Sequence, residues 1–167
     1  MRVLRYVALL ALVIWIGGLI ILGGLVPVTA FEVVDARQVA AGRMLVGALF
    51  AVLLERYHLV AYVCAGVLLA TLVARRLLGP RPRRFGLRVG LLGLLIAMTL
   101  YSGLALTGRV ETLQTEIGVP ASTLPSDDPQ RTRFARLHGL SVGLVIATVA
   151  GGLFLLWWEA ADGTSEG

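Results

Sequence analysis

His58 and His138 are the only histidines in this 167-residue chain, and Cys64 is its one cysteine. Two imidazoles from different helices could ligate a b-type haem or a copper ion. Each histidine follows an arginine by two residues, Arg56 and Arg136. Glu55 stands three residues before His58, where a carboxylate could orient the ring. His138 and Ser141 have the same spacing and would share a helix face. The competing reading is structural. Gly139, Gly143, Ala147, Ala150 and Gly151 surround the pair, and such small residues let two helices approach closely enough for one polar bond between them. The residues favour this packing seam. Haem b or copper on His138, with His58 as second ligand, is the alternative, and a Soret band or stoichiometric copper would mark it. The sequence contains no Cys-x-x-Cys, no phosphate-binding glycine loop, no zinc-ligand spacing and no nucleophile constellation. The expected role is therefore non-enzymatic, with no catalytic residues and no cofactor required. Cys64 reads as a buried apolar residue.

The elements that hold these residues follow from composition. Hydrophobic residues make up 57% of the chain and charged residues 15%, against roughly half and a quarter in a soluble domain. Mean hydropathy is +0.86. That excludes a disordered chain or a disulfide scaffold and points to an integral membrane protein. The fold class is all-α: one transmembrane domain over residues 1–167, a four-helix bundle with predicted spans at 6–26, 57–74, 89–106 and 137–158. The apolar stretch 44–74 is too long for one untilted span. Placing Glu55 and Arg56 at mid-bilayer would cost about 2.5–3.5 kcal/mol each. The spacing therefore predicts a break there, with a separate amphipathic, interfacial helix over 36–54. A short helix over 112–117 is expected to end at Gly118-Val119-Pro120. Val28-Thr29-Ala30 would suit a signal peptidase, but the apolar run exceeds an h-region of about 7–15 residues, so the first helix is expected to be retained. Inside the spans the polar residues are Cys64, Thr71, Thr99, Tyr101, Ser102, Ser141 and Thr148. No carboxylate or guanidinium is expected deep in a span, which argues against an ion pump.

All 15 basic residues are arginine, and the net charge is +5. Six lie between Arg75 and Arg88, a short loop of the kind the positive-inside rule retains in the cytoplasm. Both termini and this loop are accordingly expected in the cytoplasm, in a bacterial cytoplasmic membrane. The partners expected are the lipid bilayer and a second copy or another membrane protein. The arginines next to spans set orientation and meet anionic lipid; nucleic acid is not expected.

Several motifs occur in a fixed order. The first span carries Trp15-Ile16-Gly17-Gly18 and ends at Pro27, with Phe31 beyond. Ala41-Gly42-Arg43 follows, then Tyr57, and the last span opens with Arg136-Leu137-His138 and Ser141. In this order and spacing the chain resembles the transmembrane protein 205-like family, DUF4149-type four-helix membrane proteins of unknown function. The resemblance covers roughly residues 9–156. It implies a four-helix membrane bundle and an association with transport or with stress and toxic-compound resistance. The W-x-G-G run is also similar to copper-resistance D-type proteins and to haem-dependent protoporphyrinogen oxidases of the HemJ type. In the latter pattern a histidine precedes the tryptophan by seven residues; here that position is Ala8.

Overall fold

The computed structural model describes residues 2–39, 41–78 and 85–161. Arg81, Arg83 and Arg84 of the arginine loop, and the acidic tail after Ala161, lie outside those residues. Four helices are long and apolar enough to cross a membrane: α1 (Arg2–Ala36), α2 (Gly42–Leu78), α3 (Phe85–Ile117) and α4 (Pro129–Ala161). Helix α1 packs on α2 and α4, and α3 packs on the same two. The helices thus run up and down around a square. The start of α1 and the end of α4 meet at one end, termed here the termini end.

Two expectations about helix boundaries are corrected. There is no separate interfacial helix over 36–54. Helix α1 runs on to Ala36, turns at 37–38 and at 41 follow, and α2 then continues unbroken for 37 residues through Glu55 and Arg56. At about 1.5 Å per residue α2 is about 55 Å long, far more than a bilayer core of about 30 Å. The physical reason is that charge ends a span but not a helix. Residues 44–56 contain no proline and one glycine, glutamate and arginine are good helix formers, and both charged side chains are exposed. Likewise, the helix expected at 112–117 is the continuation of the third span, and α4 starts eight residues before the expected span. Gly118 does stop α3, with φ of 68° and its N–H donating to Gln114 O, as a left-handed C-terminal glycine should. Asp128 starts α4: its Oδ1 accepts the Gln130 N–H at 2.7 Å, and Pro129 takes the first helical position.

The two hairpins share a device that was not legible in the sequence. Helix α1 widens into a π-turn at Ile21–Leu25 and α3 at Ser102–Leu106. The Val26 N–H reaches back to Ile21 O, and the Thr107 N–H to Ser102 O. In α1 the turn ends two residues before Pro27, which cannot donate and would crowd a regular helix. In α3 the Thr107 hydroxyl also donates to Ser102 O, at 2.9 Å. Beyond each π-turn the helix continues as an 11-residue α-helical segment, Val26–Ala36 or Thr107–Ile117.

Each of the four helix interfaces is closed by a side chain pressed on a glycine. Tyr57 of α2 covers Gly18 of α1, and His58 and Tyr62 of α2 cover Gly103 of α3. Leu95 of α3 covers Gly151 of α4, and Ile16 of α1 covers Gly152. A Cβ at any of these positions would overlap its neighbour. Backbones approach closely there, which is how helices associate where lipid removes the hydrophobic drive. The core lies between these contacts: Trp15 and Ala61 are fully buried, with Leu12, Ile16, Leu92, Leu95 and Leu155 around them.

Candidate functional site

The motif residues of the first two helices form two structural sites. In the bundle interior, the Tyr57 hydroxyl donates to the main-chain oxygen of Trp15, and its ring lies on Gly18. Trp15, Gly18 and Tyr57 are thus one contact joining α1 to α2. Gly17 beside them has an open face. At the far end, Arg43 clamps Asp35 with two hydrogen bonds, Nε to Oδ1 at 2.8 Å and Nη2 to Oδ2 at 2.5 Å. Asp35 lies in the last turn of α1 and Arg43 in the first turn of α2, so the pair flanks the turn between the helices. The hydrogen bond from Arg43 holds the Asp35 carboxyl below its usual range. Ala41 takes a left-handed φ of 55° in that turn. Gly42 lies against Val34 and Val39, where a Cβ would come within 2.9 Å of Val34 Cβ. Ala41-Gly42-Arg43 therefore shapes and fastens a turn. Phe31 is half-buried nearby in sequence, and Pro27 follows the first π-turn.

The histidines have different surroundings. His58 is buried; its Nδ1 lies 2.8 Å from Leu54 O, in the previous turn of α2. Nδ1–H donating there makes Nε2 the remaining acceptor. Its ring neighbours Tyr62 and Gly103. His138 is exposed on α4 and stacks on Phe134, one turn away on the same helix, with centroids 5.8 Å apart. Arg136 is exposed, while Leu137 and Ser141 are half-buried. Glu55 is exposed, and the hydrogen bond that orients His58 is accepted by Leu54 O. Among the described residues, no three His, Cys, Asp or Glu side chains are grouped closely enough to hold a metal ion.

The densest chemistry lies at the termini end, where the sequence shows only an orienting arginine loop and a short acidic tail. Glu159 is buried, with both carboxylate oxygens engaged. Oε2 accepts from Arg75 Nη1 at 2.6 Å and Oε1 from Arg88 Nη1 at 2.7 Å. Arg88 is 3% exposed and lies over the Trp158 ring, its Cζ 5.7 Å from the centroid. Arg5 donates from Nε to Glu159 O and from Nη2 to Ala160 O, at 3.0 and 3.1 Å. A cation on the last carbonyls of a helix also meets the negative end of its dipole. One residue of α4 thereby collects an arginine from each of the other three helices. A cavity of about 30 Å³ lies just inside this cluster, lined by Leu12, Leu68, Thr71, Leu155 and the charged groups. It has room for one or two water molecules and is too small for an organic substrate. No residue spacing could reveal this cluster, because its three arginines lie 71, 84 and 154 positions from Glu159.

The family profile described as a domain of unknown function, DUF4149, matches residues 10–119. The chain belongs to the DUF4149 family. The match includes Trp15, Gly18, Asp35, Arg43 and Tyr57 of this DUF4149 protein, so it covers both motif sites just described. It stops before α4, and Arg136, Leu137, His138, Ser141 and Glu159 fall outside it. Comparisons with curated proteins and with solved structures find no match.

Proposed function

We propose that this DUF4149 protein is a non-enzymatic, multi-pass membrane protein of the transmembrane protein 205-like kind. It pairs with a second copy of itself through α4 and in that form supports transport or resistance to toxic compounds. Both termini face the cytoplasm of a bacterial cell. The observation that carries the reading is the outward face of α4. Only 17% of its crossing segment is buried, against 39% for α2. Gly139, Gly143 and Ala147, each four residues after the last, are all exposed, and a Cβ on either glycine would meet no other part of the bundle within 4 Å. The Gly139–Ala147 part of the packing seam expected here is thus left unfilled by the chain's own helices, whereas Gly151 packs on Leu95. Small residues at this spacing suit a close, symmetric helix pair, whose members gain van der Waals contact that lipid tails give less well. The role in resistance rests on the family resemblance.

Gly143→Leu is the test. The variant should fold, since the position is open. In native-lipid particles the wild type should be dimeric, and Gly143→Leu mostly monomeric by single-particle mass measurement. A monomeric wild type, or an unchanged dimer in the variant, would sink the reading. The glycines at 17 and 18 would be a poor choice for this experiment, because Gly18 already packs on Tyr57 within one chain.

A further inference from the structure

We infer that the groove between the far half of α3 and the start of α4 binds an anionic phospholipid, with its phosphate between Arg109 and Arg133. The groove has a volume of about 320 Å³, within the range of sites that hold small molecules. Leu104 and Ala105 line one part of it, Leu113 its floor, and Arg109, Arg133 and Glu116 its polar part. Leu113 is 2% exposed, whereas Leu104 is 74% exposed and continues the apolar surface of the third span.

The order of these residues along α3 matches the depth profile of a lipid. Leu104 and Ala105 stand in the π-turn at the end of the apolar stretch. Arg109 comes about one turn later, roughly 6–8 Å further along the axis, a distance suited to the headgroup layer. Glu116 lies about two turns beyond that, where it can accept from headgroup hydroxyls. Arg133 reaches the groove from α4.

Charge distinguishes this groove from the corresponding turn of the other hairpin. There, Arg43 is neutralised by Asp35 with two hydrogen bonds. Arg131, close by in α4, donates to Leu124 O at 2.7 Å. Arg109 and Arg133 have no ion-pair or hydrogen-bond partner among the described residues, and both are exposed. Two guanidiniums against one carboxylate leave an excess positive charge at the lip of an apolar groove. A phosphate can take hydrogen bonds from both guanidiniums, while the acyl chain follows Leu104 and Ala105 into the bilayer. Such basic pockets between crossing helices are a known physical basis for lipid selection.

The test uses the full-length protein, extracted from vesicles of equal phosphatidylglycerol and phosphatidylcholine, with retained lipids counted by native mass spectrometry. The arginines of the termini end also attract anionic lipid, so the comparison is between variants. Arg109→Gln with Arg133→Gln should lower the ratio of retained phosphatidylglycerol to phosphatidylcholine about tenfold. Arg37→Gln with Arg56→Gln removes the same charge from exposed positions elsewhere at that end, and should change the ratio less than about twofold. Arg109→Lys with Arg133→Lys should keep most of the preference. An equal fall in both glutamine pairs, or no fall in the first, would overturn the site. Inorganic phosphate displacing the lipid at millimolar concentration would overturn the lipid assignment, because the acyl chain would then contribute nothing.

Discussion

Glu159→Ala is expected to destabilise the bundle by about 3–5 kcal/mol, the cost of stripping one partner from a buried ion cluster. The carboxylate satisfies Arg75 and Arg88 at once, and its main-chain oxygen receives Arg5. Without it, Arg88 would keep its charge while 3% exposed. Removing the carboxylate from a buried ion cluster costs more than losing a surface pair, which is worth at most about 1 kcal/mol. Glu159→Gln should lose most of the same amount, since it keeps the shape and removes the charge. A simultaneous change of Arg75, Arg88 and Glu159 to methionine should be far milder than Glu159→Ala, because no charge is stranded. Unfolding free energies measured in bicelles by steric trapping would check all three. A loss below about 1 kcal/mol in Glu159→Ala would mean that water already reaches the cluster freely.

The second large effect concerns Trp15. It is fully buried and is the largest side chain in the core, so Trp15→Ala should cost about 3–5 kcal/mol through the cavity left behind. Trp15→Phe should cost much less. The indole Nε1 is buried with no hydrogen-bond partner among the described residues, and phenylalanine removes that unpaired donor. A Phe variant as unstable as the Ala variant would show that Nε1 is satisfied by water or that the indole shape itself is required. The same measurements on Tyr57→Phe isolate the hydroxyl that donates to Trp15 O, expected to be worth about 1 kcal/mol.

The membrane class and the four crossings were legible because apolar length is a direct physical requirement of the bilayer. The sequence reading starts the second crossing at Tyr57, beside Glu55 and Arg56; in the structure Tyr57 lies within α2 and packs on Gly18. What failed was the step from span end to helix end. Residues 44–56 hold nothing that breaks a helix, so α2 runs unbroken through Glu55 and Arg56 and no separate interfacial helix forms. Glu159 was hidden for a different reason. It follows Trp158 at the edge of an apolar run and reads as the first residue of a solvated tail. Only the convergence of four helix ends gives it Arg5, Arg75 and Arg88 as neighbours. The packing glycines were partly legible: Gly17-Gly18 marked a contact face, but which of the two receives Tyr57 depends on helix rotation. Gly139, Gly143, Ala147, Ala150 and Gly151 are read as a seam; in the structure Gly139, Gly143 and Ala147 face outward, whereas Gly151 packs on Leu95. His58 and His138 drew attention by rarity, yet His58 packs on Tyr62 and Gly103 whereas His138 stacks on Phe134.

The central claim is a four-crossing bundle with both termini at one face, and single-cysteine labelling tests it most directly. In a Cys64→Ser background, cysteines would replace Arg37 and Thr115 at the far end, and Leu78 and Ala161 at the termini end; all four positions are exposed. A membrane-impermeant maleimide should label positions 37 and 115 in right-side-out vesicles, and positions 78 and 161 in inverted ones only. Labelling of 37 and 115 from opposite sides, or of 78 and 161 from opposite sides, would contradict the four-crossing account.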